Sequence, residues 1–142
     1  MLNIYCDGAS RKDGRGGWGL AAYWHDKLMF EECGGAFDTT NNRMELQGAI
    51  EALKCYDPGT EMTIHSDSQY VVQGILEHID LWLRTGWRTS GNNPVKNQDL
   101  WEELATLDVE RKVTWLWVKG HSGVPGNERA DALATLGVPT IA

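Results

Sequence analysis

Met62-Thr63-Ile64-His65-Ser66-Asp67-Ser68-Gln69-Tyr70-Val71-Val72 opens as an alternation of period two and, past Asp67, turns into a pattern of helical spacing that continues through Ile75 and Leu76. A strand therefore runs over Met62–Ser66 and hands over at Asp67 to a helix over Ser68–His78. Strand passing directly into helix is the unit of a parallel crossover. Upstream, Leu2, Ile4 and Cys6 alternate with Asn3, Tyr5 and Asp7, and two more β-rich runs follow, Gly17–His25 and Leu28–Gly35. The glycine-rich Asp13-Gly14-Arg15-Gly16-Gly17 is followed by a strand rather than a helix, so it reads as a hairpin turn and not as a phosphate cradle.

Thr39, Thr40 and Asn41 offer N-caps to a helix carrying Leu46, Ala49, Ile50 and Leu53, which Asp57-Pro58-Gly59 stops. Downstream, Asn97–Leu107 is a helix with Leu100, Trp101, Leu104 and Leu107 on one side, Val113–Val118 is a strand, and Gly126–Leu136 is a helix with Ala130, Leu133 and Ala134 inward. The stretch after His78 and before Asn97 reads as a loop. The order predicts an α/β fold around a mixed sheet, an antiparallel meander extended by parallel strands through helical crossovers.

The 142 residues fit a single domain, 1–142, and show no repeat, linker or low-complexity tract. No apolar run approaches the length of a membrane span, and no basic leader precedes an apolar run. Cys6, Cys33 and Cys55 are odd in number and widely spaced, which points to neither disulfides nor a thiolate metal site and makes the reducing cytoplasm the expected compartment. A net charge of −7 weighs against a nucleic-acid partner, yet residues 81–97 hold Arg84, Arg88 and Lys96 without an acid.

Several acids are badly placed for mere solubility. Asp7 ends the first strand, where aspartate is a poor strand former; alone, Asp7-Gly8 reads as a turn. Asp67 sits beyond the carboxyl end of a strand, where open α/β sheets bind ligands, although it can equally cap the following helix. Glu45 and Asp131 lie on the flanks of the apolar stripes of two helices. Four such carboxylates brought to one sheet would repel by roughly 4 kcal/mol per pair at an effective dielectric of about 20 and 4 Å, unless a cation neutralised them. All-oxygen donors select a hard ion, Mg²⁺ or Mn²⁺, over zinc.

Tyr5-Cys6-Asp7-Gly8-Ala9-Ser10, Thr39-Thr40-Asn41-Asn42-Arg43-Met44-Glu45-Leu46, Ser66-Asp67-Ser68-Gln69-Tyr70-Val71, and Trp117-Val118-Lys119-Gly120-His121-Ser122-Gly123 with Asn127-Glu128-Arg129-Ala130-Asp131 resemble, in order and spacing, type 1 ribonuclease H. The resemblance covers nearly the whole chain. It implies a five-stranded mixed sheet flanked by helices and endonucleolytic hydrolysis of the RNA strand of an RNA–DNA hybrid, leaving 5′-phosphate and 3′-hydroxyl ends. It implies two Mg²⁺ ions, with Mn²⁺ as an alternative, held by Asp7, Glu45, Asp67 and Asp131 as metal ligands and catalytic residues. By the same resemblance His121 is catalytic, shuttling a proton or aiding product release from a small-residue loop.

For substrate binding the resemblance points to Gly8, Asn41, Asn42 and Gln69 beside the acids, to Thr40 at a phosphate, and to Arg84, Trp87 and Arg88 in the basic handle Trp82-Leu83-Arg84-Thr85-Gly86-Trp87-Arg88. Here the chain departs from the pattern. Leu83, Thr85, Asn92 and Asn93 stand where relatives often carry Lys or Arg, and the turn before Trp18 is one residue shorter than in many of them. Trp101, Trp115 and Trp117 are assigned to the core, and His25, His65 and His78 to packing or solvent. The expected partner is the hybrid duplex, with no membrane, and the expected state a monomer. A transposase, integrase or junction-resolvase core, a non-catalytic hybrid-binding module, and a domain detached from a reverse transcriptase are the competing readings; the fourth acid and the Gly-His-Ser-Gly loop favour ribonuclease H.

Overall fold

A computed structural model describes residues 1–141 of the chain. Its sheet has the order β3-β2-β1-β4-β5, with β1 at Leu2–Ser10, β2 at Gly16–Trp24, β3 at Lys27–Ala36, β4 at Glu61–Ser66 and β5 at Lys112–Trp117. β1, β2 and β3 pair antiparallel as a meander, while β4 lies parallel to β1 and β5 parallel to β4. The mixed sheet and its helical crossovers are those the sequence predicts.

Two helices sandwich the centre of the sheet. α1 (Asn41–Lys54) covers one face, burying Leu46, Ala49, Ile50 and Leu53 against Ile4, Cys6 and Leu20. α5 (Pro125–Gly137) covers the other, and Gly126 at its start lies against the ring of Tyr5. α4 (Gln98–Val109) completes the core beside α1, with Trp101 and Leu104 fully buried. At roughly 25 cal/mol per Å² of apolar surface removed from water, each fully buried Leu or Ile contributes about 1.5–3 kcal/mol.

The helix after β4 differs from its sequence reading. α2 (Gln69–Gln73) passes through a π-helical turn at Gly74–His78, in which Ile79 N–H donates to the Gly74 carbonyl, and continues as α3 (Ile79–Thr85). So the supposed loop after His78 is helical for its first turns. At Gly74 the turn lies so close to Trp101 that any Cβ would overlap its indole. Trp82 packs across Trp101 at 5.2 Å and beside Trp87 at 6.2 Å, fastening the projecting segment to the core. Trp101 and Trp115 are buried as expected, but Trp117 is 45% exposed, because β5 is the edge strand and only Trp115 of its residues is buried.

Candidate active site

The site begins with strand register. Parallel pairing of β1 with β4 ends at Cys6 opposite Ser66, so the next residues, Asp7 and Asp67, leave the ladder side by side. Asp7 does not end its strand as the sequence reading has it: β1 runs on to Ser10 because β2 keeps pairing with it, Gly8 opposite Trp18 and Ser10 opposite Gly16. Nor does Asp67 cap the following helix. Ser68 does so, its hydroxyl accepting from Val71 N–H at 3.2 Å, which leaves the Asp67 carboxylate uncommitted.

Glu45 arrives from α1. A Cβ at Gly8 would overlap the Met44 and Glu45 backbone, and one at Gly48 would come 2.8 Å from the Asp7 carbonyl oxygen. Only glycine at these two places lets α1 lie directly on β1, and that contact sinks Glu45 to 6% exposure instead of leaving it on a flank. Oxygens of Asp7, Glu45 and Asp67 consequently lie within 4.8 Å of one another.

These acids are in tension with their surroundings. Asp7 is only 3% exposed, and burial, then the Asp67 charge, hold its carboxyl well above the usual range. Burial raises Glu45 as well, followed by the charges of Asp7 and Asp67. Gly8 N–H donates to Asp7 Oδ1 at 2.8 Å, whereas Glu45 Oε2 is buried with no hydrogen-bond partner. A buried acceptor without a donor among crowded carboxylates fits a hard divalent cation bound through oxygen. Cys6, wholly buried beneath them, has its thiol pushed up by burial and by the charges of Glu45, Asp7 and Asp67.

Asp131 stands outside that set of three. It is half-buried on α5, one residue past Ala130, whose carbonyl oxygen packs against Gly19, the β2 partner of Asp7. It thus approaches from the face of the sheet opposite Glu45. His121 is exposed in the loop after β5, with a left-handed φ of 55°. Its neighbour Gly120 lies so close to Asp67 that a Cβ there would come 2.9 Å from Oδ2, which puts the loop at the rim of the acids.

The other predicted residues spread around this rim. Thr40 caps α1, its Oγ1 accepting from Arg43 N–H at 3.2 Å, and Asn41 and Asn42 follow, exposed. Gln69 is exposed at the start of α2, while Gly8 is buried with its N–H spent on Asp7. Arg84 and Arg88 are exposed and, among the described residues, neither they nor Lys96 enter an ion pair. Trp87 is half-buried with φ 66°, lining a groove with Leu83 and Ala105. His65 packs as expected, stacked on Tyr5 at 4.3 Å and bonded to Asn3 Oδ1 at 2.9 Å.

Sequence reasoning missed a polar brace behind the rim. Arg43 forks onto Asp99 at 3.0 and 2.7 Å and reaches Asn97 Oδ1 at 3.3 Å. Asn97 and the Trp101 indole both donate to Tyr70 Oη, at 3.1 and 3.0 Å. Nothing in local spacing signals a link between residues so far apart in the chain. The three cysteines are free, and no described helix is long and apolar enough to cross a membrane.

Residues 1–138 match the family model described as RNase H. Ribonuclease H of Hahella chejuensis is 53% identical over 138 residues, covering 96% of this chain and 93% of its own. Ribonuclease H of Cupriavidus pinatubonensis is 51% identical over 142 residues, covering 98% and 96%. Among solved structures, LC9-RNase H1, a type 1 RNase H with the type 2 active-site motif, superposes with a TM-score of 0.84 at 28% identity, over 96% of this chain and 71% of that one. With the acid set, the sheet order and these matches in agreement over nearly its full length, the chain belongs to the type 1 ribonuclease H family.

Proposed function

We propose that this chain is an endonuclease that hydrolyses the RNA strand of RNA–DNA hybrids, leaving 5′-phosphate and 3′-hydroxyl ends. The observation that carries the reading is the meeting of Asp7, Glu45 and Asp67 within 4.8 Å at the carboxyl end of the parallel strands. Together with Asp131 they would hold two Mg²⁺ ions, which would supply activation of water and stabilisation of the leaving oxygen; Mn²⁺ is the alternative.

The chain's own groups do the rest. Gly8 N–H and the packing of α1 on β1 keep Asp7 and Glu45 in place, so cation binding has little side-chain ordering left to do. His121, in the loop at the rim of the acids, delivers the proton that the leaving oxygen takes up. Asn41, Asn42 and Gln69 read the minor groove, where the 2′-hydroxyls of one strand distinguish hybrid from duplex DNA. Thr40 contacts the sugar-phosphate chain, Gly8 serves the site by holding Asp7 rather than by touching substrate, and Arg84, Arg88 and Trp87 hold the DNA strand. The reading takes residues 1–142 as one domain acting as a monomer, in the cytoplasm that three free cysteines suit.

The test is incubation with an RNA–DNA hybrid, duplex RNA, duplex DNA and single-stranded RNA, each with Mg²⁺ and with EDTA. Cleavage of only the hybrid's RNA strand, only with Mg²⁺, is expected. Asp67→Asn should bind hybrid and not cut it. Cleavage in EDTA, or a near wild-type rate for Asp67→Asn, would overturn the assignment.

A further inference from the structure

Trp117 is the last residue of β5 and leaves 45% of its surface in solvent. The ring makes one polar contact: its Nε1–H donates to the backbone carbonyl of Asp67 at 3.1 Å. The next residue, Val118, donates its N–H to the Ser66 carbonyl at 2.9 Å. Two consecutive residues of β5 therefore tie down the peptides on either side of the point where β4 gives way to α2.

That point needs outside support. Asp67 lies past the last β1–β4 pair, so no partner strand holds it on that side. Its helix cap belongs to Ser68, whose own N–H is spent on Ser66 Oγ at 3.1 Å. Without the indole N–H, the Asp67 peptide can rotate about its flanking bonds and carry the carboxylate away from Asp7 and Glu45. The same stretch of chain, Trp117 to Gly120, then runs past the Asp67 carboxylate to His121.

We infer that Trp117 is a positioning residue, its indole N–H holding Asp67 in the three-acid set and coupling that set to the His121 loop. Because the bond is solvent-exposed, water replaces it at little cost in stability. Cation binding and turnover, which need the carboxylate at one place, are where the loss falls. Hybrid affinity, set at the amide rim and the basic segment, stays as it is. The inference rests on the proposed hybrid cleavage for its kinetic arm and on the acid set alone for its binding arm.

The experiment compares wild type with Trp117→Phe, which keeps a ring without the donor, and Trp117→His, which restores a ring N–H. Each protein is melted in EDTA, titrated calorimetrically with Mg²⁺ in the absence of substrate, and assayed on a hybrid. For Trp117→Phe the expected result is an unchanged melt, Mg²⁺ affinity and kcat each reduced about three- to tenfold, and KM unchanged, in line with loss of one hydrogen bond. Trp117→His should recover most of both. Mg²⁺ affinity and kcat within twofold of wild type, an effect on KM alone, equal losses in both variants, or a Trp117→Phe protein that melts early or fails to fold would each overturn the inference. A wild type that binds Mg²⁺ but cuts no hybrid would sink the functional reading and leave the binding arm to decide the inference.

Discussion

Replacing Asp7 by Asn should make the metal-free protein more stable, not less. Oxygens of Asp7, Glu45 and Asp67 lie within 4.8 Å of each other, and at an effective dielectric of about 20 two unit charges at that distance repel by about 3.5 kcal/mol. Asp7 takes part in two of the three pairs, so with all three ionised the repulsion it feels would be at least about 7 kcal/mol at that dielectric. Proton uptake by the raised carboxyls and water at the rim relieve most of this, so the expected gain is about 1–3 kcal/mol. For a chain of this length that is a rise in Tm of about 3–9 °C. The amide oxygen still accepts from Gly8 N–H, so no bond is lost in exchange.

The pH dependence has a fixed sign. Asp7 and Glu45 have folded pKa values above their unfolded ones. Near pH 3 both states are protonated and the variant gains nothing. As pH climbs through the unfolded values near 4, the unfolded chain releases protons that the folded site retains, and wild type loses stability until pH passes the raised folded values. The advantage of Asp7→Asn therefore grows from acid to neutral pH. Mg²⁺ reverses it, since an ion at a hundred times its Kd stabilises wild type by about 2.7 kcal/mol and the variant by less. Thermal melts of both proteins at acid and neutral pH, in EDTA and in excess Mg²⁺, decide the matter. A variant that melts below wild type in EDTA at neutral pH, or an advantage indifferent to pH, would refute the crowding of charge.

Substitutions at His121 and Gly8 carry further predictions. His121→Ala should lower kcat about 10- to 100-fold with little change in KM, as for a group that assists proton transfer without binding the cation; complete loss with a native melt would make His121 indispensable. Since His121 sits at φ 55°, His121→Gly should be more stable than His121→Ala by about 1 kcal/mol, read in the same melts. Gly8→Ala forces a methyl into the Met44–Glu45 backbone and should cost about 1–3 kcal/mol of stability and most of the activity; a shift under about 0.5 kcal/mol with full turnover would mean α1 does not need its close seat on β1.

What could be read from the sequence divides by the range of the interaction. Alternation in Leu2–Asp7 and Met62–Ser66 marks strands because period two is a local property, and the helix directly after Asp67 makes the pairing parallel. Asp7 and Asp67 were each legible as acids at strand ends, whereas the register that sets them side by side is a property of the folded sheet. Glu45 reads as a flank residue because its depth depends on Gly8 and Gly48, which carry no apolar signal. Trp117 reads as core because hydrophobicity says nothing about which strand is the edge. The Arg43–Asp99–Asn97–Tyr70 brace was illegible, since tertiary packing alone brings α1, α2 and α4 together.

The π-helical turn at Gly74–His78 has a geometric consequence for the arm that follows it. An α-helix advances about 100° per residue, so one extra residue within a turn rotates everything beyond it by about that angle around the axis. In this chain Trp82 faces Trp101 past the turn while Arg84 stays exposed. Removing a single residue from the turn should restore an ordinary helix of unbroken hydrogen bonds, yet swing Trp82 away from Trp101 and bring Arg84 round toward the core. The compass bearing of the arm is thus written as a count of residues in one turn, independent of the arm's own sequence, and an insertion or deletion there would re-aim the surface without altering a single charge on it.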